Sequence, residues 1–275
     1  MKPRPLIIGG MPRSGTTLLQ QLCDDHPQMR VTKEFGNYLF VGESLAGYLK
    51  GTARRVRRIN GRWRPHGAKQ EPPTTLLQKL RVRGGNQIAN GLAVSTHVLR
   101  IARHGTGPVK LSHLVAAETD NGAIRIVGDK FPQYMFRMHQ FVELQELLRL
   151  VIYRDCRDVT SSFLRKLRAD WKNQRWTRPM DTAEKIARKW VEGVEIMERY
   201  AERLFVVRYE SLVSDADTEL RRIAEWLDVD PSGFDAGMVF GSSVGNYRRG
   251  LTARELDDVL RVSGSTLERL GYRVD

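Results

Sequence analysis

The chain has 275 residues, of which 41% are hydrophobic and 28% are charged. This size suits one large domain or a core domain with an insertion, and the composition excludes a largely disordered chain. Lysine and arginine number 45 against 32 acidic residues, a net charge of +13 that favours anionic partners such as nucleotides, nucleic acids or acidic glycans. The two distant cysteines, Cys23 and Cys156, exclude a disulfide framework and a cysteine-rich zinc site.

Apolar runs are short throughout the chain, well below the about 18 residues that a membrane-spanning helix needs. The N-terminal run at residues 6–8 (LII) is also too short for a secretory signal. We therefore expect no membrane span and a protein of the reducing cytoplasm.

Strands and helices are predicted to alternate along the chain. Residues 6–8 suit a short buried strand, and residues 16–25 an amphipathic helix that ends at His26-Pro27. A short strand and a helix are expected within 31–49, an exposed basic segment leading into a loop over 50–75, and mostly helix over 74–118. The remaining predicted strands are 124–127, 148–153 and 204–207, and the remaining helices are 134–147, 158–170, 181–202, 215–227 and 252–270. This alternation predicts a three-layer α/β fold with a central parallel sheet flanked by helices.

Residues 10–17 (GMPRSGTT), the phosphate loop, lie between the first predicted strand and the first helix. Unpaired amides and the helix dipole at such a junction attract anions. The spacing of Gly10 and Gly15 matches a P-loop-type fold, but Thr16 stands where an ATPase needs its lysine. Arg13 supplies a charge inside the loop instead. The hydroxyl donors are Ser14, Thr16 and Thr17. The alternative is a plain glycine-rich turn between strand and helix.

Residues 149–162 (RLVIYRDCRDVTSS) form a second candidate anion site. An apolar strand brings Arg154 to the sheet edge where α/β proteins bind ligands, and a helix with hydroxyl groups follows. Arg154 and Ser162 therefore suit a second phosphate. The alternative is a surface ion pair of Arg154 with Asp155 or Asp158. We expect no metal, since Asp129 and Asp155 are the only acidic residues near a strand end that could serve one.

The phosphate loop, together with residues 25–30 (DHPQMR), resembles the 5′-phosphosulfate loop of the PAPS-dependent sulfotransferases, in their tyrosylprotein and bacterial branches. Residues 149–162 resemble the 3′-phosphate motif of that family. The resemblance extends over residues 5–36, 124–166, 204–227 and 245–272. It implies 3′-phosphoadenosine 5′-phosphosulfate (PAPS) as sulfuryl donor and PAP as product. The expected lack of a membrane anchor suits a cytoplasmic, bacterial enzyme. The nucleotide contacts that the resemblance implies are Arg13, Ser14, Gly15, Thr16, Thr17, Arg154 and Ser162.

The resemblance also suggests catalytic roles for three charged residues. Glu34 lies where the tyrosylprotein branch carries its glutamate, and it would remove the proton of the acceptor hydroxyl. Lys130 and Arg13 would offset charge on the sulfuryl group and the leaving oxygen. An exposed Glu34 paired with Lys33, and a solvated loop lysine at 130, are the alternatives. A histidine base is a further possibility, and the candidates are His97, His104 and His113.

Two later motifs resemble nucleotide-contacting segments of the same family. Tyr209, in residues 207–213 (VRYESLV), is either a nucleotide contact or a core residue at the end of a strand. Arg248 and Arg249, in residues 245–250 (GNYRRG), are either contacts on the 3′ side of the nucleotide or part of a solvated basic loop.

The expected organisation is a single sulfotransferase domain over residues 1–275, with a mainly helical, arginine-rich insertion at about 50–120. Six arginines between Arg54 and Arg64 are either a solvated face or a grip for an acidic acceptor. The hydroxyl acceptor could be a glycan, a peptide tyrosine or a small metabolite. A P-loop kinase or NTPase using Mg-ATP is the first alternative. A nucleic-acid-binding protein is the second, although no recognition motif supports it.

Overall fold

The sheet of the protein is entirely parallel. The computed structural model describes residues 2–59, 97, 99–103, 105, 107–119, 123–171 and 174–274. The strands are β1 (Arg4–Gly10), β2 (Met29–Lys33), β3 (Ile126–Lys130), β4 (Leu148–Tyr153) and β5 (Phe205–Arg208). They pair in the order β2-β3-β1-β4-β5. The predicted α/β fold with a central parallel sheet is therefore confirmed.

The helices that the structure describes lie mainly where the periodicity predicts them. They are α1 (Thr16–Asp25), α2 (Leu45–Ile59), α3 (Leu111–Glu118), α4 (Cys156–Lys166), α5 (Ala183–Arg199), α6 (Tyr209–Ser214), α7 (Ala216–Leu227), α8 (Tyr247–Gly250) and α9 (Ala253–Arg269). Short 3₁₀ helices include Asn37–Phe40, Pro132–Gln140 and Arg175–Met180. A π turn, Leu167–Trp171, continues α4.

Alternate residues of the central strands pack into two separate cores, because successive side chains of a strand point to opposite faces. Ile7 and Val151 face α3, α4, α5 and α9. Leu6, Ile8 and Ile152 face α1, α6 and α7. Residues 6–8 are fully buried, as expected for a strand covered on both faces. The chain thus forms the three predicted layers.

Two sequence predictions need correction. The strand expected at 124–127 is Ile126–Lys130, because Gly128, Asp129 and Lys130 continue the parallel pairing between β1 and β2. The helix expected at 134–147 is the 3₁₀ helix Pro132–Gln140, which contains a non-helical kink at Arg137 and is followed by turns. Helix α2 continues to Ile59, into the segment over 50–75 that was expected to be exposed and basic and to lead into a loop.

Each strand delivers one candidate site residue to the same edge of the sheet, since the carboxyl ends of parallel strands meet there. Arg13 follows β1, and Glu34 directly follows β2. Lys130 is the last residue of β3, Arg154 comes directly after β4, and Tyr209 directly follows β5. The parallel sheet thus brings to one edge residues that are far apart in the sequence, such as Arg13 and Tyr209, which are separated by 196 positions.

Candidate functional site

No side chain caps the start of α1, the helix that follows the phosphate loop. Gly15 precedes α1 with a left-handed φ of 100°, and no side-chain hydrogen bond from this residue caps the helix. The first amides of α1 have no partner within the helix, so they can donate to an anion. Thr16 is buried, whereas Thr17 is half-buried at the same end. The loop therefore has the geometry that its sequence predicts.

The Ser14 hydroxyl holds the loop in place. Ser14 is fully buried, and its Oγ lies 2.7 Å from the carbonyl of Met11 and 3.0 Å from the carbonyl of Ile152 in β4. A hydroxyl has one proton to donate, and here the acceptors are protein carbonyls. The sequence predicted this hydroxyl as a donor to the ligand, whereas the structure engages it inside the protein. Ser14 thus fastens the loop to the neighbouring strand.

Arg13 lies among other charged groups at the mouth of the loop. Its Nε donates to the Ser162 hydroxyl of α4 over 3.0 Å. Burial lowers the pKa of Arg13, and the nearby Arg165 and Arg154 lower it further, while Glu34 opposes them. Three guanidinium groups that repel one another are stabilised by a bound anion, which favours an anion site at this position.

Lys130 and Glu34 form an ion pair beside the phosphate loop. Lys130 is fully buried, and its Nζ lies 2.8 Å from Glu34 Oε1 and 3.4 Å from Thr17 Oγ1. The solvated loop lysine considered from the sequence is therefore excluded. Burial lowers the pKa of Lys130, and the Glu34 carboxylate opposes that shift. Lys130 brings to the start of α1 the cation that Thr16 does not supply.

Arg154 is held in a buried network at the end of β4. Its Nη2 lies 3.2 Å from Asp158 Oδ2 and donates to the carbonyl of Ser243, and its guanidinium carbon lies 4.5 Å from the centre of the Tyr209 ring. Arg154 is only 5% exposed. The ion pair with Asp158 is thus real, as one alternative expected, but it is buried and lies at the carboxyl edge of the sheet.

Asp158 fastens the loop that carries Arg248 and Arg249 to α4. It accepts hydrogen bonds from the amides of Gly245 (2.8 Å) and Tyr247 (2.9 Å). Arg248 and Arg249 are exposed, and Arg248 lies over the Tyr247 ring. Asp158 therefore places both arginines beside the helix that carries Ser162.

A cavity of about 720 Å³ opens between α4 and this loop. Its polar lining residues are Ser161, Arg165, Arg168, Asn246 and Arg249. Sequence reasoning missed Arg165 and Arg168. The available signal was their spacing, because Arg165 follows Ser162 by three residues and so lies on a neighbouring part of the helix surface.

The remaining sequence candidates lie away from these groups or outside the described residues. His97 is buried, with Nε2 2.8 Å from the Tyr48 hydroxyl and Nδ1 2.5 Å from Glu118. His104 lies outside the described residues, whereas His113 is half-buried on α3. Of the arginine cluster, the backbone of residues 54–58 belongs to α2, and residues 62 and 64 lie outside the described part.

The two acidic residues considered for a metal have structural partners. Asp155 caps α4 by accepting from the Arg157 amide, and it also pairs with the Arg157 guanidinium over 2.8 Å. Asp129 is fully buried and accepts hydrogen bonds from two backbone amides and two hydroxyl groups.

Comparisons with known proteins show the family of this chain. A model of the Sulfotransferase family matches residues 5–233, and the chain belongs to that family. The chain is 26% identical over 235 residues to protein-tyrosine sulfotransferase A of Caenorhabditis elegans, a match that covers 82% of this chain and 50% of that protein. The chain spans half or less of the length of the curated relatives that it matches.

Solved structures confirm the fold. The sulfotransferase domain of the olefin synthase of Synechococcus PCC 7002 superposes with a TM-score of 0.55 at 19% identity, covering 100% of this chain and 97% of that one. Mouse sulfotransferase SULT7A1, solved with PAP, gives a TM-score of 0.50 at 12% identity, covering 96% and 85%. Within the described part of the chain, every helix is too short or too polar to cross a lipid bilayer.

Proposed function

We propose that this protein transfers a sulfuryl group from PAPS to the hydroxyl group of an acceptor. The observation that carries the proposal is a pair of adjoining groups of cationic and hydrogen-bond-donating residues at one edge of the sheet, which we assign as two anion sites. The first comprises the start of α1, Arg13 and Lys130, and the second comprises Arg154 and Ser162. The hydrogen bond from Arg13 Nε to Ser162 Oγ joins them. PAPS carries a 5′-phosphosulfate and a 3′-phosphate, so it needs two such sites.

The proposed orientation of the donor follows from these positions. The amides of α1 and Arg13 bind the 5′-phosphosulfate, with Thr17 and Lys130 beside it. The 3′-phosphate lies near Arg154 and Ser162, with the cavity lined by Arg165 and Arg249 next to them. The other proposed contacts are Gly15, Thr16, Tyr209 and Arg248, while Ser14 holds the loop in place. The PAP bound to SULT7A1 supports this class of ligand.

The chemistry is assigned to the ion pair at the start of α1. Glu34 takes the proton of the acceptor hydroxyl as its oxygen forms a bond to sulfur. The bond from sulfur to the 5′-phosphate oxygen breaks, and its electrons leave on PAP. Lys130 and Arg13 offset the charge on the leaving oxygen. The buried Nζ of Lys130 is suited to this task because few water molecules screen its charge.

Calorimetry with PAP tests the donor side directly. The chain is expected to bind PAP in the micromolar range in the presence of EDTA, because arginines and helix amides supply the charge that Mg²⁺ supplies in NTPases. Mg-ATP is the comparison ligand. Binding of Mg-ATP without binding of PAP would instead establish the kinase or NTPase alternative. Sequence-independent, salt-sensitive binding of DNA would favour the nucleic-acid alternative.

The Gly15→Ala variant is expected to lose PAP affinity, by roughly tenfold or more. The reason is steric, because a Cβ at Gly15 would lie 2.5 Å from Cδ2 of Tyr209 on a backbone with positive φ. Calorimetry measures the loss. Gly264→Ala is the matched control, since a Cβ there would lie more than 4 Å from every described atom outside the backbone of its own helix and its chain neighbours. Equal PAP affinities in the two variants would contradict the assigned loop geometry.

PAP affinity is expected to fall at alkaline pH, starting below the ordinary lysine pKa of 10.5. Burial disfavours the protonated form of Lys130, so this residue loses its charge early as the pH rises. The contribution of Lys130 to stability has the opposite sign. Folding lowers the pKa of Lys130, so the unfolded chain binds this proton more tightly than the folded one. The free energy of unfolding therefore rises with pH between the lowered pKa and 10.5.

The Glu34→Gln variant sharpens this pH test. It removes the carboxylate that supports the charge of Lys130, so the alkaline loss of PAP affinity moves to lower pH. Titration of PAP across pH 7–10 measures the shift. Glu43→Gln, an exposed carboxylate change, is expected to leave the profile unchanged. Identical profiles for Glu34→Gln and the unmodified protein would remove Lys130 from the PAP site.

The acceptor is proposed as a hydroxyl compound, possible classes being a peptide tyrosine, a glycan or a small metabolite. The similarity to protein-tyrosine sulfotransferase A of Caenorhabditis elegans supports tyrosine. A single sulfotransferase domain with an acceptor-binding insertion at about 50–120 stays a prediction, because much of that segment lies outside the described residues. The cytoplasmic, bacterial location also stays a prediction.

A further inference from the structure

The turn that carries Glu34 adopts a strained conformation. Among the described non-glycine residues, only Arg13, Glu34 and Asp228 have a positive φ, and that of Glu34 is 58°. A left-handed conformation is unfavourable for a residue with a Cβ unless surrounding contacts enforce it. The Glu34 amide donates to the carbonyl of Lys130 over 2.6 Å, which holds one side of the turn.

A single buried carboxylate holds the other side. Asp129 Oδ1 accepts from the amide of Phe35 (3.0 Å) and the hydroxyl of Thr32 (2.8 Å). Asp129 Oδ2 accepts from the amide of Gly36 (2.6 Å) and the hydroxyl of Tyr134 (2.5 Å). The four donors surround both oxygens of a fully buried carboxylate. Three of them belong to residues 32–36, which we call the Glu34 turn.

We propose that Asp129 is a positioning residue for sulfuryl transfer, holding the Glu34 turn so that the Glu34 carboxylate meets Lys130 and the phosphate loop. The sheet explains how it does so. Asp129 and Lys130 are neighbours in β3, so their side chains point to opposite faces of the strand. Asp129 grips the turn through its backbone, while Lys130 pairs with the Glu34 side chain.

A hydrogen bond from Tyr134 fixes the position of the Asp129 carboxylate. The Tyr134 hydroxyl donates to Asp129 Oδ2 and accepts from the amide of Tyr38 over 3.3 Å. Tyr134 is fully buried in the 3₁₀ helix after β3. Removal of this hydroxyl therefore withdraws one of the four donors and keeps the carboxylate, which makes Tyr134→Phe a milder variant than Asp129→Asn.

The proposal rests on the proposed function, so the experiment separates the two. PAP binding is measured by calorimetry, and transfer is measured as PAP released from PAPS with N-acetyltyrosine amide, or water, as the acceptor. Asp129→Asn is expected to slow transfer by roughly 100-fold and Tyr134→Phe by about tenfold, because misplacement of a catalytic group by about 1 Å has effects of this size. Both variants are expected to keep the PAP affinity of the unmodified protein. Failure of the unmodified protein to bind PAP would refute the proposed function instead.

Tyr38→Phe is the matched control. The Tyr38 hydroxyl is also buried in this core, but it donates to the carbonyl of Val127 and not to Asp129. It is expected to lower the melting temperature without slowing transfer. Equal slowing by Tyr38→Phe and Tyr134→Phe, or an unchanged rate in Asp129→Asn, would overturn the proposal.

A double variant distinguishes positioning from general destabilisation. If Asp129 acts through Glu34, adding Asp129→Asn to Glu34→Gln slows transfer no further. Full additivity of the two losses would overturn the proposal. Hydrogen exchange gives a readout that does not need an acceptor. The amides of Phe35 and Gly36 are expected to exchange at least about tenfold faster in Asp129→Asn, while those of β1 are unchanged. Unchanged exchange at both residues would also overturn it.

Discussion

Replacement of Glu34 by glutamine is expected to slow sulfuryl transfer by roughly 1,000-fold, within the range that a general base contributes. Glutamine has nearly the same shape but cannot take the proton of the acceptor. PAP affinity near neutral pH is expected to change by no more than about threefold, because the arginines and helix amides remain. Transfer from PAPS to N-acetyltyrosine amide, a phenol that is protonated at neutral pH, together with calorimetry on PAP, separates the two effects.

Glu43→Gln is the control for loss of one negative charge, since this carboxylate is exposed and lies outside the proposed site. It is expected to transfer at the normal rate. Because Lys130 is fully buried, Glu34→Gln also lowers the melting temperature by leaving that charge with less compensation. Normal transfer by Glu34→Gln would move the base to another residue, such as a histidine.

Replacement of Arg154 by alanine is expected to weaken PAP binding by roughly 100-fold, which corresponds to about 3 kcal/mol for a lost hydrogen-bonded charge. The guanidinium is proposed to bind the 3′-phosphate together with Ser162. Its removal also leaves the buried Asp158 without its cation, so the melting temperature falls as well. Calorimetry measures the affinity, and thermal unfolding measures the loss of stability.

Arg149→Ala separates affinity from stability. Arg149 is a buried arginine of β4, the strand that directly precedes Arg154. Its hydrogen bonds in the described part of the chain all go to backbone carbonyls. These carbonyls belong to Phe141, Leu144 and Arg203. Its loss is expected to destabilise the fold without changing PAP affinity. If both variants lose affinity equally, Arg154 is a structural residue and the second anion site is wrong.

The sheet could be predicted largely from local patterns. Residues 148–153 form β4 as predicted, because an apolar run of this length suits a strand covered on both faces. The predicted position of β3 was wrong because Gly128, Asp129 and Lys130 are a glycine and two charged residues, which are types with low strand propensity. Their burial depends on partners far away in the sequence, including Glu34, which a local pattern does not reveal.

The sequence predicted the parts of the candidate site whose hydrogen-bond donors lie close together along the chain. The phosphate loop needs only two glycines and a helix start, all within residues 10–17. The hydroxyl of Ser14 shows the limit of such reasoning. Its type predicts a donor to the ligand, but its acceptors include the carbonyl of Ile152, 138 residues away. Only the pairing of β1 with β4 brings these groups together.

By itself, the sequence determined the class of the fold and the family, since hydrophobic periodicity and short motifs act over a few residues. The tertiary structure alone decided how the charges are distributed. It buried Lys130 against Glu34, paired Arg154 with Asp158, and turned Asp129 from a candidate metal ligand into a clamp on a strained turn. Burial and pairing of charges depend on which residues the chain brings together from distant positions, so these features become visible only in the folded sheet.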